Sequence, residues 1–243
     1  MHKIIKTLFP FFLIIIFILL GNYIYIYTHA NKLFKNYKIQ ISGNQYLNNT
    51  QITETLNYNK NSSLFNIDII KIKTKLEKMD FIKSVQISQI LPNSILIQII
   101  EREPLVLVNN KNKTIFLDSH GISLPVDNNS LVNFPVPLLI IKDEKYDFTY
   151  QTNKITEIIN HIFFNYPNFY KSINEIIIDS NIWEFRDNQK TKFYVNKNHL
   201  IEQLIILKKF EDTIYPIKEF KDYNYIDLTT KNKIIVKEKY RKG

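Results

Sequence analysis

Residues 81–104 read FIKSVQISQILPNSILIQIIEREP, two alternating runs on either side of a short break. In the first run Val85 and Ile87 alternate with Gln86 and Ser88, the period of a half-buried strand. In the second, Ile95, Ile97 and Ile99 fall on one face and Leu96, Gln98 and Ile100 on the other. Leu91-Pro92-Asn93-Ser94 between them predicts a hairpin. Pro104 cannot donate to a ladder and is expected to end the second strand. Arg102 has Glu101 and Glu103 as neighbours to pair with, and exposed pairs contribute only roughly 0–1 kcal/mol. The three charges can equally be a solvated strand end.

Upstream of this hairpin, Ile69, Ile72, Leu76 and Met79 recur at spacings of three, four and three. That spacing predicts an amphipathic helix, with Lys71, Lys73, Lys75, Glu77 and Lys78 largely outside. Asn48 is a plausible N-cap for a shorter helix, Asn49–Leu56, on which Ile52 and Leu56 stack at i, i+4. Residues 57–63 are turn-rich. Lys38–Ser42 alternates as a strand, and Gly43-Asn44 marks the turn after it. The predicted order is strand, helix, helix, strand, strand, preceded by a short polar linker at 28–36.

Before the linker lies one uncharged apolar run, Leu8–Tyr27, LFPFFLIIIFILLGNYIYIY. About 20 residues at roughly 1.5 Å each cross a hydrocarbon layer of roughly 30 Å. Tyr23, Tyr25 and Tyr27 are the amphipathic rings expected where such a helix leaves the bilayer. Residues 1–7 are too few to fold, so the bulk of the chain is expected on the far side of one membrane. Lys3 and Lys6 favour an inside N-terminus, although Lys32, Lys35 and Lys38 follow the run closely. The competing reading is a cleaved signal peptide ending at Thr28-His29-Ala30; the run exceeds the usual apolar core of roughly 7–15 residues.

Composition narrows the function. The chain has 243 residues, 45% hydrophobic, with 17 Phe and 15 Tyr, enough to build cores. It has no Cys, which excludes disulfides, thiol catalysis and thiolate metal sites. The net charge of +9 is spread along the chain as Lys, and Arg occurs only at 102, 186 and 241. A nucleic-acid reader would be expected to cluster Arg. A basic surface facing anionic lipid headgroups is the functional use that remains for this charge.

After Pro104 the pattern changes. Leu105–Val108 and Thr114–Leu117 predict strands, followed by a turn at Asp118-Ser119-His120-Gly121. Leu138–Ile141 predicts another strand. Residues 153–165 predict a helix carrying Ile155, Ile158, Ile159 and Ile162 on one side, stopped by Pro167. Residues 175–179, 182–186 and 192–195 predict a meander with Trp183 in its core. Residues 198–212 predict a helix with Ile201, Leu204, Ile205, Leu207 and Phe210. Residues 223–228 and 233–237 predict the closing strands.

This order, behind a single anchor, resembles the POTRA domain and, more narrowly, the bacterial cell-division family FtsQ/DivIB. The motifs are Ile41-Ser42-Gly43-Asn44, Phe81-Ile82-Lys83-Ser84-Val85, Leu91-Pro92-Asn93-Ser94-Ile95 with Glu101-Arg102-Glu103-Pro104, Asp118 with Gly121, and Tyr225-Ile226-Asp227-Leu228. The resemblance implies an α+β protein: a cytoplasmic tail (1–7), a transmembrane helix (8–27), a linker (28–36), a POTRA domain of order β-α-α-β-β (37–104), a second, mostly antiparallel β domain with flanking helices (105–238), and a tail (239–243).

The resemblance further implies a divisome scaffold of the bacterial inner membrane. Its N-terminus would be cytoplasmic, its bulk periplasmic and its place the division septum. Such a scaffold links early cytoplasmic division components to the septal wall-synthesis machinery. The implied partners are FtsB/FtsL-like coiled-coil proteins that add a strand at the C-terminal edge. In this chain that edge maps to Thr229-Thr230-Lys231-Asn232-Lys233-Ile234, with Tyr225 before it and Lys197 where the family can carry an Arg. Thr229-Thr230 stands where the family usually has Arg-Tyr, two residue types that often anchor interfaces. An edge strand guarded by Lys is the plainer reading of the same residues.

No catalytic, cofactor or metal site is expected, nor a small-molecule substrate or nucleic acid. Asp118-Ser119-His120 places three adjacent residues on a turn, where they cannot form a triad's chain of hydrogen bonds. The five His are scattered, and the four Gly form no phosphate loop. The alternative function is a POTRA-bearing envelope factor that captures client strands.

Overall fold

The computed structural model describes residues 2–30, 32–56, 63–110, 113–142, 148–231 and 233–240. The chain divides into two compact units, Met1–Glu101 and Arg102–Gly243.

In the first unit, helix α1 (His2–Ala30) contains the apolar run, and its segment Pro10–Thr28 has a mean hydropathy of 2.1, long and apolar enough to cross a membrane. Then follow β1 (Lys38–Ser42), α2 (Asn49–Leu56), a single 3-10 turn (Leu64–Asn66), α3 (Ile69–Leu76), β2 (Ile82–Ile90) and β3 (Ser94–Glu101). The sheet order is β1-β3-β2, with β1 parallel to the central β3 and β2 antiparallel to it. Alternation decides which face is buried. Ile95, Ile97 and Ile99 are enclosed with Ile52, Leu56 and Leu64, while Ile100 is exposed. Asn48 caps α2 reciprocally: its Oδ1 accepts the Gln51 N–H at 2.8 Å, and Gln51 Oε1 accepts the Asn48 N–H at 3.0 Å. Asp68 caps α3 by accepting the Lys71 N–H at 2.9 Å. On α3 the enclosed residue is Leu76, whereas Ile69 and Ile72 are only half-buried.

Three corrections concern the Glu-Arg-Glu-Pro segment. Glu101 is no solvated strand end. Its Oε2 accepts the N–H groups of Gln45 (2.9 Å) and Tyr46 (2.8 Å), and its Oε1 that of Leu47 (2.8 Å). One carboxylate thus gathers three backbone donors of the loop after β1, charge-assisted bonds that tie that loop to the end of the central strand. Arg102 pairs with neither Glu101 nor Glu103 but with Asp118, at 2.9 Å. Pro104 does not end β3; it opens the next strand, at the first position, where a missing N–H is tolerated.

The second unit is one nine-stranded sheet, order β12-β11-β10-β9-β8-β7-β4-β5-β6. Its strands are β4 (Pro104–Asn110), β5 (Lys113–Asp118), β6 (Ser123–Leu124), β7 (Leu138–Ile141), β8 (Ile173–Asp179), β9 (Ile182–Asp187), β10 (Lys192–Asn196), β11 (Tyr223–Asp227) and β12 (Ile235–Glu238). The β4–β7, β7–β8 and β10–β11 pairings are parallel and the other five antiparallel. The helices are α4 (Asn128–Asn133), α5 (Phe148–Asn165), α6 (Pro167–Ser172) and α7 (Leu200–Ile214). Ile155, Ile158, Ile159 and Ile162 of α5 and Leu200, Leu204 and Leu207 of α7 join Trp183, Phe185, Phe193 and Val195 in one core. Ile201 and Ile205 stay exposed, because α7 turns Gln203 inward instead: its Oε1 accepts the Asn196 N–H at 2.7 Å and so completes the end of β10. Pro167 does more than stop α5. It takes the first helical turn of α6, where its fixed φ suits the helix.

Tyr170 on α6 donates its hydroxyl to the Leu105 carbonyl at 2.7 Å, and burial pushes the phenol up from 10.0 to about 12. Because the fold raises this pKa, the phenol's contribution is fully present below pH 10. It is lost as pH rises from about 10 through about 12. Alkaline titration of the second unit's stability should therefore show a decline of no more than about 3 kcal/mol in that window. Tyr170→Phe should be less stable at neutral pH and flatter above pH 10, by denaturant unfolding at each pH. An unchanged alkaline slope in the variant would assign the decline elsewhere.

Candidate functional site

The C-terminal end of the large sheet is built outward from β10. β11 lies parallel to β10, pairing Lys192 with Tyr225 and Tyr194 with Asp227. A return over 228–234 brings β12 back antiparallel to β11, pairing Asp227 with Ile235, Ile226 with Val236 and Tyr225 with Lys237. β12 is the last strand, and all four of its residues are exposed. Its outer backbone groups face no other strand among the described residues, the arrangement that templates an added strand.

Thr229, Thr230 and Lys233 do not lie on a strand; they belong to the return, and β12 begins at Ile235 rather than at Lys233. Asn232 lies outside the described residues. Asp227 shapes the return: its Oδ1 accepts both the N–H and the hydroxyl of Thr229, at 2.8 and 2.7 Å. This is the local reason for an Asp two residues after Tyr225. Thr230 closes the turn by accepting the Lys233 N–H at 3.3 Å. Ile234 packs partly against the core, so its side chain is used internally.

Tyr225 and Lys197 lie elsewhere at the same end. Tyr225 is half-exposed, its ring 6.2 Å from that of Tyr194. Burial, then the neighbouring Glu184, raises the Tyr194 phenol pKa. Lys197 opens the turn after β10, its N–H donated to the Asn181 carbonyl at 2.7 Å. Beside them Arg186 bridges Glu184 at 2.6 Å and Glu175 at 3.0 Å; the Glu184 hydrogen bond leads the causes that raise its pKa. Sequence reasoning missed β12's own residues, Ile235–Glu238, as the exposed edge. The closing strand expected at 233–237 overlaps β12, but the partner edge was mapped to 229–234, ahead of it.

The Asp118-Ser119-His120 turn carries no relay. Asp118 is buried and committed: Oδ1 accepts the N–H groups of His120 and Ile122, both at 2.8 Å, and Oδ2 faces Arg102. Ser119 Oγ lies 3.0 Å from His120 Nδ1 on an exposed turn, with no carboxylate behind the ring. Among the described residues no cluster of three His, Asp or Glu could hold a metal.

Residues 34–102 match the family described as POTRA domain, FtsQ-type, a span covering the first unit's sheet and its helices α2 and α3. Curated relatives agree. A Cell division protein FtsQ of Rickettsia typhi is 34% identical over 103 residues, 42% of this chain and 39% of that protein. One of Koribacter versatilis is 24% identical over 100 residues, 40% of this chain and 29% of that one. A Cell division protein DivIB of Clostridium acetobutylicum is 29% identical over 91 residues, 37% of this chain and 36% of that one. The matched stretches thus span less than half of these relatives. An FtsQ-type POTRA domain directly after an apolar helix, with a second β-sheet unit following it, makes the chain similar to the FtsQ/DivIB family and supports that family for it.

Proposed function

We propose that this chain is a membrane-anchored cell-division scaffold. It holds FtsB/FtsL-like coiled-coil partners at the end of its large sheet. The observation that carries the reading is the free edge of β12, exposed along its whole length at the end of a nine-stranded sheet. A partner segment pairing there would take its affinity from backbone hydrogen bonds. Side chains at the same end would supply specificity: Thr229, Thr230 and Lys233 on the return, Tyr225 on β11, and Lys197 as a cation for an acidic partner residue, with Asn232 and the backbone of Ile234 assigned to the contact by the family resemblance. With Thr229-Thr230 in place of Arg-Tyr, the backbone share of the contact is the larger one here. The N-terminus is cytoplasmic, both folded units are periplasmic, and the protein works at the septum.

The test is a fluorescent fusion in dividing cells combined with depletion and with co-precipitation of the coiled-coil partners. A midcell band, filaments on depletion and recovery of a coiled-coil division protein are expected. An even envelope signal with normal division overturns the reading and favours capture of client strands by the POTRA domain.

A further inference from the structure

The segment joining α1 to β1 is folded back on itself rather than extended. Leu33 N–H returns to the Thr28 carbonyl at 3.2 Å and Lys35 N–H to the Lys32 carbonyl at 2.9 Å. Lys32 and Asn36 take left-handed φ of 51° and 54°. Leu64 N–H then bonds the Phe34 carbonyl at 2.8 Å, and the Phe34 and Phe65 rings meet at 5.0 Å. These contacts hold the 3-10 turn beside the outer end of α1. Tyr25, Thr28, Lys32, Lys35 and Phe65 line one cleft of about 330 Å³ there. Tyr25 and Thr28 belong to the last turns of the apolar segment, so the cleft sits at headgroup depth once that segment spans a bilayer.

From the cleft wall at Phe65 to the start of α3 the exposed residues are cationic and apolar together. Phe65 is 60% and Ile70 79% exposed, and Lys71 is exposed beside Ile70. The nearby acids are engaged internally: Asp68 caps α3, and Glu77 pairs with Lys73 at 3.7 Å and accepts the Val85 N–H at 3.4 Å. We infer that the linker turn, the 3-10 turn and the start of α3 form a docking face for anionic phospholipid headgroups, with Lys32, Lys35 and Lys71 on the phosphates and Phe65 and Ile70 in the interface. The inference rests on α1 spanning a membrane. It gives the POTRA unit a fixed pose on the leaflet rather than a free tether. Within a Debye length of roughly 10 Å of anionic lipid, each basic residue raises the docked-to-free ratio roughly fivefold. Three such residues shift the docked-to-free ratio by roughly 100-fold, at about 1.4 kcal/mol per tenfold.

The absence of Cys makes a single spin label unambiguous. The full chain carrying Ile70→Cys is reconstituted in vesicles of phosphatidylcholine alone or with phosphatidylglycerol. Flotation and nitroxide accessibility to oxygen and to a water-soluble nickel chelate are then measured. The same label at Asn188→Cys, in the second unit, is the reference. Docking predicts that the 70 label becomes immobile and nickel-protected only with phosphatidylglycerol, that 0.5 M salt or Lys32→Gln/Lys35→Gln/Lys71→Gln reverses this, and that the 188 label stays mobile. A 70 label equally exposed in both lipids overturns the docking face. So does equal protection in both, which would make the contact indifferent to charge. Failure to float with either vesicle overturns the membrane anchor itself and is recognised separately.

Discussion

Val236→Pro is expected to abolish capture of a coiled-coil division partner while leaving the chain folded. The direction of each N–H along β12 decides this. Lys239 N–H points inward, to the Asp222 carbonyl at 2.8 Å. An antiparallel ladder turns successive residues alternately toward and away from the neighbouring strand. The N–H groups of Lys237 and Ile235 therefore face β11, and those of Val236 and Glu238 face outward. The irregularity between Tyr223 and Tyr225 lies on β11 and leaves the alternation along β12 intact. Proline at 236 removes an outward donor and places its ring on the free edge, where proline is compatible with a sheet. Lost donors at about 1 kcal/mol each, with the ring obstructing the adjacent pair, make a loss of roughly 100-fold in affinity. Stability should change by no more than about 1 kcal/mol. Lys237→Pro is the counterpart: it removes an inward donor and should loosen the end of the sheet. Full binding by a folded Val236→Pro chain would place the partner away from this edge.

What the sequence disclosed and what it hid divide along the reach of the interactions. β1, α2 and the 82–101 hairpin were legible because their periods of 2 and 3.6 are local. So were the buried stripe on α5 and the core position of Trp183. The role of Glu101 was not: it accepts donors 54 to 56 residues away. Arg102 likewise found Asp118 rather than its neighbours in the chain. The four parallel pairings leave no local trace, because strand direction is set by crossovers. The short α4 and the two-residue β6 fall below the length at which a period shows, though Asp127 and Ser130 form a reciprocal cap. At the candidate site the motif Tyr225-Ile226-Asp227-Leu228 was readable, and Asp227 explains part of it. The position of the free edge required the register.

Gly43→Ala is expected to unfold the POTRA unit, and Gly121→Ala in the second unit supplies the measure of why. Both glycines have left-handed backbones, φ +85° and +75°, so alanine at either position incurs a conformational cost of roughly 1–2 kcal/mol. Their surroundings differ. At Gly121 a Cβ would meet the Asn153 side chain at 3.4 Å and nothing closer. At Gly43 it would stand 2.1 Å from the carbonyl oxygen of Ile99. That oxygen is on β3, the central strand, paired to β1 and β2, and Glu101 two residues later holds the loop after Gly43 by three hydrogen bonds. Neither side can yield without breaking a ladder or releasing the loop. The collision should raise the cost at Gly43 to at least about 4 kcal/mol, close to the whole stability of so small a unit. Amide hydrogen exchange on the full chain reads the two units separately. Protection across 38–42 and 82–101 should collapse in Gly43→Ala while the second unit keeps its own. Gly121→Ala should lower protection in the second unit by no more than about 10- to 30-fold. Equal, small effects at both positions would mean that the loop after β1 relaxes, and that Glu101 does not hold it against β3.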